Sequence, residues 1–206
     1  MRQDFASALR NNQQPFGINL EDKTVERLAD YYDLVQQHNP ILHLVAPCTA
    51  GEFATRHILE SLTLLEFLPE GARFADVGTG AGLPSIPCLL AREDLHGTLI
   101  ESKEKKIGFL KAVVERLGLS ERAMLVNRQF SEVPRLDVDF ITCRALDKFA
   151  DKLPQLLKWA GAKPLLLFGG PSLEEALEKA NRKPQRHLMP LSERRYLFHV
   201  SARITS

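Results

Sequence analysis

From residue 72 onward, short β-rich runs alternate with helix-length stretches, and this alternation is the strongest limit on how the 206-residue chain can fold. The pattern predicts strands at 72–77, 97–101, 123–127, 137–143 and 163–168, and helices at 84–92, 104–117, 146–159 and 172–181. Such alternation builds a mostly parallel sheet with helices on both faces, an open α/β fold. Two further apolar runs, near 186–190 and 195–203, are joined by the polar "SERR" and predict a C-terminal antiparallel hairpin. Upstream, "LEDKTVERLADYYDLVQQ" (20–37) and "EFATRHILESLTLLEFL" (52–68) carry apolar residues at helical spacing. Between them the two prolines of "HNPILHLVAP" are expected to break the helical pattern. The chain therefore divides into a helical cap, residues 1–70, and an α/β domain, residues 71–206.

Ligands of an open parallel sheet gather at the carboxyl ends of its strands. "DVGTGAG" (76–82) stands there, directly after the first α/β strand. A phosphate-binding P-loop would need a lysine that this loop lacks. A dinucleotide fingerprint would need a third glycine where the chain has Leu83. The remaining spacing, D-x-G-x-G-x-G, resembles the loop of Rossmann-like class I S-adenosylmethionine-dependent methyltransferases. Gly78, Gly80 and Gly82 would let the backbone turn tightly and approach a ligand without Cβ interference. Asp76 would balance the sulfonium and ammonium charges of that ligand, or brace the loop by accepting N–H bonds. Glu101 ends the next strand, "GTLIE", where a carboxylate can accept two hydrogen bonds from a ribose diol.

Composition narrows the class. The 27 basic and 26 acidic residues nearly cancel, which argues against an extended nucleic-acid footprint. The basic stretches "SKEKK" (102–106) and "ANRKPQRH" (180–187) are most simply solvated faces. Cys48, Cys88 and Cys143 are scattered without a C-x-x-C pair, so neither a disulfide framework nor a metal site is expected. No apolar run has membrane-spanning length, and the first residues lack a secretory apolar core. These features predict a reduced cytoplasmic protein without membrane partners, acting as a monomer.

The fourth α/β strand runs into "ITCRALD" (141–147), without the [DNS]-P-P-[YFW] motif of amino-directed nucleic-acid methyltransferases. Pro87-Cys88 falls within the first α/β helix and reads as core. Cys143 beside Arg144 leaves a thiolate route open as an alternative. "FADVGTGAGLPSIP", "RHILESL", "LIESKEKKIGFLKAV" and "TCRA" together resemble the RsmG (GidB) methyltransferases over roughly residues 25–203. The resemblance implies transfer from S-adenosylmethionine to guanine N7 of 16S ribosomal RNA, with the RNA or a small-subunit ribosomal particle as partner. It implies cofactor contacts at Gly78, Leu83, Gln129, Phe130 and Arg144. The family has serine where this chain has Cys143, which tells against the thiolate route.

Guanine N7 offers a lone pair and carries no proton, so the transfer needs positioning rather than a general base. Arg144 is the candidate catalytic residue, donating to guanine O6 or gripping a phosphate; bracing the strand tip is its alternative role. His57 would fix the cap against the cofactor mouth. The family's R-A-E turn reads Arg128-Gln129-Phe130, leaving Glu132 as the nearest acid, and Pro40 and Phe168 stand where the family has lysines. Two other functions fit the same loop: methylation of a small molecule, and cofactor binding by an inactive interaction protein.

Overall fold

A computed structural model describes residues 1–144 and 149–202. Seven strands form one sheet in the order β3-β2-β1-β4-β5-β7-β6. They are β1 (Arg73–Val77), β2 (His96–Ile100), β3 (Ala123–Val126), β4 (Phe140–Cys143), β5 (Leu165–Gly169), β6 (Gln185–Leu188) and β7 (Tyr196–Val200). The first five pair in parallel, and β7 lies antiparallel to both β5 and β6. The expected C-terminal hairpin is present, with its second strand inserted between β5 and β6. Chain order reverses between β1 and β4, and that switch point opens a crevice where a ligand can enter.

Successive strand residues point to opposite faces of a sheet, and the two faces here have different partners. Phe74, Leu99, Leu166 and Leu197 join one core with α5 (Ser85–Ala91), α6 (Glu104–Arg116) and the N-terminal helices. Ala75, Ile100, Leu167 and Phe198 join the other, with α7 (Phe149–Ala160) and α8 (Pro171–Lys179). Of the helix expected at 146–159, residues 146–148 lie outside the described residues, as does residue 203 of the final run.

The cap begins with α1 (Arg2–Asn12), which periodicity did not single out although Phe5, Ala6 and Leu9 carry its buried stripe. Phe5 stacks on Tyr32 at 4.5 Å and meets Phe53 at 6.0 Å, an aromatic nucleus built from three separate helices. The helix expected at 20–37 is longer: α2 (Asp22–Leu42) runs through Pro40 to a left-handed cap at His43. Proline forfeits one ladder hydrogen bond and crowds the carbonyl four residues back, but it sits here in the last turn, and the helix ends two residues later. Asn39 then turns the chain, its Oδ1 accepting the Val45 N–H at 2.9 Å. That turn delivers residues 44–46 to the crevice.

The helix expected at 52–68 is instead three registers in series. They are α3 (Ala50–Glu52), a π-helical stretch Phe53–Leu59 and α4 (Glu60–Leu62), followed by a 3-10 turn Thr63–Phe67. A capping box between Thr49 and Glu52 starts the series. Tyr31, wholly buried in α2, donates its hydroxyl to the Ala81 carbonyl at 2.9 Å, tying the cap to the glycine loop. The cap and one face of the sheet share a continuous apolar core.

Candidate functional site

A cavity of about 520 Å³ opens at the carboxyl ends of β1 to β4, roofed by Leu44, Val45, Ala46 and His57 of the cap. The glycine loop forms its floor. Gly78, Gly80 and Gly82 have φ of 69°, 59° and 95°, a region that side chains rarely adopt. Gly78 and Gly80 line the cavity. A Cβ on Gly80 would meet nothing nearer than the Gly78 carbonyl at 3.8 Å and Lys106 Nζ at 3.9 Å, so its absence leaves room for a ligand. Gly82 corrects the expectation of a cofactor contact. It is not on the cavity wall, and a Cβ there would lie 2.4 Å from Ile86 Cγ1. Its role is to let the loop pack onto α5.

The two acids divide the work differently from the sequence reading. Asp76 does not reach the cavity; it is wholly buried beneath the loop. Its Oδ2 accepts the Thr79 and Ser85 hydroxyls at 2.6 Å each, while Oδ1 is sealed without a hydrogen-bond partner. Burial pushes its pKa up to about 7 despite those hydroxyls, which favour the ionised form. Of its two anticipated roles, bracing is the one with partners in place, through hydroxyls as well as backbone. Glu101 lines the cavity. Its Oε2 accepts the Gly80 N–H at 3.1 Å and its Oε1 the Lys103 N–H at 2.9 Å, so the carboxylate is locked in one orientation. Each oxygen keeps a lone pair for a ligand hydroxyl.

Leu83, Gln129 and Phe130 also line the wall, with Arg128 beside them. Phe130 is held edge-on by Trp159 at 5.9 Å. Glu132 is exposed and absent from the cavity wall, so it does not replace the missing acid of the family turn. Cys88 and Cys143 are both fully buried in the core and line no part of the cavity.

Arg144 lines the cavity and is clasped by the cap. Its Nη1 donates to Ser61 Oγ at 3.0 Å, and its Nη2 to Glu60 Oε2 at 3.2 Å and to the Arg56 carbonyl. The last bond explains the π-helical stretch. In an α-helix the Glu60 N–H would take the Arg56 carbonyl, four residues back. Here it bonds to Thr55 O, five residues back, which releases the Arg56 carbonyl to accept the arginine. Phe168, standing where the resemblance leads one to expect lysine, places its ring 5.4 Å under the guanidinium. A lysine there would set a second cation against Arg144.

The other oxygen of Glu60 accepts Arg195 Nε at 2.7 Å, from the turn between β6 and β7. A carboxylate only 3% exposed thus joins cap, β4 tip and C-terminal hairpin. The sequence reading passed over Glu60 and Arg195, although an acid set among Ile58, Leu59 and Leu62 of an apolar stripe was a legible signal. Beside this cluster, burial and the neighbouring arginines 144, 56 and 195 push the His57 pKa down to about 3. The ring is neutral, packed against Phe53 at 5.1 Å, with its Nδ1 buried and unpartnered.

Removing one member of a buried ion cluster leaves its partner charge uncompensated. Glu60→Ala should therefore destabilise the protein by about 3 kcal/mol in urea denaturation at pH 7, and Glu60→Gln by less, since the amide still accepts one hydrogen bond. A Glu60→Ala protein within about 0.5 kcal/mol of the parent, the range of an ordinary surface substitution, would remove the clasp from the account.

No group of three or more potential metal ligands occurs among the described residues, and none of the described helices is long and apolar enough to cross a membrane. Solved methyltransferases share the fold. A SAM dependent methyltransferase from Aquifex aeolicus superposes with a TM-score of 0.57 at 18% identity, covering 83% of this chain and 97% of that one. The m1A22 tRNA methyltransferase TrmK of B. subtilis does so with a TM-score of 0.51 at 19% identity, covering 69% and 64%. Sequence relatives are nearer. Ribosomal RNA small subunit methyltransferase G of Desulfotalea psychrophila is 35% identical over 184 residues, covering 86% of this chain and 84% of the relative. That of Sorangium cellulosum is 34% identical over 173 residues, covering 80% and 72%. The family model for GidB, rRNA small subunit methyltransferase G, matches residues 24–194. With its glycine loop, its Glu101 and its cap-clasped arginine in place, the chain belongs to the GidB family of methyltransferases.

Proposed function

We propose that the protein transfers a methyl group from S-adenosylmethionine to N7 of a guanine in 16S ribosomal RNA, in the cytoplasm. The observation that carries this reading is the charge of the cavity wall. Lys103, Lys106, Arg128, Arg144 and Lys152 line it, against Glu101 as the one carboxylate among the described lining residues. A chain that is nearly neutral overall concentrates cations on this cavity wall, which suits a polyanionic acceptor better than a small neutral molecule.

The residues present fit the cofactor. Gly78 and Gly80 leave backbone open to the amino-acid end, Glu101 is fixed for the ribose diol, and Leu83, Gln129 and Phe130 form a wall for the adenine. S-adenosylmethionine supplies, when bound, a methyl group on a sulfonium that departs as a neutral thioether. The protein's share is to orient and to exclude water. His57 stays neutral and adds no positive charge beside the reacting atoms. No lining residue need remove a proton, because N7 carries none. Arg144, held by three acceptors, keeps its guanidinium at the acceptor side, where it can meet O6 or a flanking phosphate.

Two measurements test this. Small-subunit particles from cells lacking the enzyme should gain one borohydride/aniline-sensitive guanine after incubation with protein and cofactor. Labelled methyl transferred to a small molecule, with no new cleavage in the RNA, would replace the reading.

The second is a pH dependence. Asp76 is mostly protonated below about pH 7 and mostly ionised above it. A buried carboxylate beneath the loop attracts a sulfonium only when ionised. The affinity of S-adenosylmethionine relative to neutral S-adenosylhomocysteine should therefore rise about three- to tenfold between pH 6 and 7.5, and Asp76→Asn should flatten the ratio. A ratio independent of pH in the parent would show that Asp76 serves the loop alone.

A further inference from the structure

Beside the cofactor cavity lies a second depression, of about 420 Å³, formed where the end of α2 meets the start of α6. Ile41, Leu42 and His43 make one side, and residues 103–106 make the other. The two helices are antiparallel: Arg27 Nη2 donates to the Leu117 carbonyl at one end of the seam, and His38 packs on Phe109 further along. Lys103 and Lys106 line this groove and the cofactor cavity alike, so the two depressions share a wall.

We propose that the groove is a second RNA subsite, which seats a nucleotide flanking the methylated guanine. Its phosphate would lie on the lysines and its base or sugar against Ile41 and Leu42. The inference rests on the RNA-directed reading of the cavity and adds where the strand runs on leaving it. Three observations lead there.

Ile41 is 79% exposed, an apolar side chain held out at a helix end beside the site rather than in either core. Lys103, Lys105 and Lys106 stand at the amino end of α6, where the helix dipole disfavours cations. The helix dipole therefore gives no reason for them. Among the described residues no ion pair engages any of the three, and Glu104 is the one acid in the groove.

Cations adjoining an exposed apolar surface match the two parts of a nucleotide, an anionic backbone and a base with an apolar face. Continuity with the cavity through two shared lysines fits one chain occupying both depressions.

Lys105 and Ile41 line the groove without lining the cofactor cavity, so they separate the two sites. Lys105→Glu should raise the KM for small-subunit particles at least tenfold and change kcat less than threefold. Its affinity for S-adenosylhomocysteine, read by calorimetry, should stay within twofold of the parent. Lys105→Gln should make the logarithmic salt dependence of RNA binding shallower by about 1, the loss of one phosphate contact.

A benzoylphenylalanine placed at position 41 should photocrosslink to 16S RNA near the methylated guanine. Unchanged KM in Lys105→Glu, a crosslink to a ribosomal protein, or no crosslink at all would overturn the subsite. These results are distinct from failure of the parent reading, in which the wild-type protein would methylate no guanine in the particle.

Discussion

The site depends on one buried carboxylate. Glu60 is almost fully withdrawn from water and holds Arg144 and Arg195, which arrive from the tip of β4 and from the β6–β7 turn. A buried ion cluster of this kind adds little net stability compared with an apolar replacement, because desolvation offsets attraction. What it does specify is geometry. The carboxylate fits in one place only if the cap, the central strand and the C-terminal hairpin are all docked. The π-helical register of Phe53–Leu59 belongs to the same arrangement, since it frees the backbone carbonyl that Arg144 needs. A helix that gives up its own hydrogen-bond register to serve a side chain from elsewhere points to the site rather than to the cap itself.

The floor of the cavity follows the same logic on a smaller scale. Both acids near the glycine loop help to hold it. Asp76 ties the Thr79 and Ser85 hydroxyls together below, and Glu101 accepts the Gly80 and Lys103 amides above. The loop is thereby preorganised between two carboxylates, one buried and one facing the ligand. The cavity wall is mixed in charge: Glu101 lies on it among Lys103, Lys106, Arg128, Arg144 and Lys152, with Asp76 buried beneath the loop.

Much of this was legible in the sequence, for physical reasons that differ by element. The alternation of strands and helices gave the sheet and its helices to within a few residues, because both faces are buried and periodicity reports burial. Glu101 was legible as an acid at a strand end, whereas Leu83, Gln129 and Phe130 were named by the family resemblance alone; all four line the cavity. Gly82 was misread because spacing cannot tell a glycine that faces a ligand from one that admits Ile86. α1 was passed over because its stripe is only three residues, and its burial comes from Tyr32 and Phe53, distant in sequence. The end of α2 was lost to an over-strict reading of Pro40. Net charge is silent on one feature: a sum over the chain hides the five cations on one cavity wall.

If Glu60 holds cap, strand tip and hairpin together, weakening it must loosen all three contacts jointly while leaving the far sheet intact. Amide hydrogen exchange of the parent and Glu60→Gln proteins is the direct test. The account predicts exchange at least tenfold faster in both the 53–62 segment and the 189–196 turn, with β1, β2 and β3 as protected as in the parent. Unchanged exchange in those two segments, or loosening of one without the other, would contradict it.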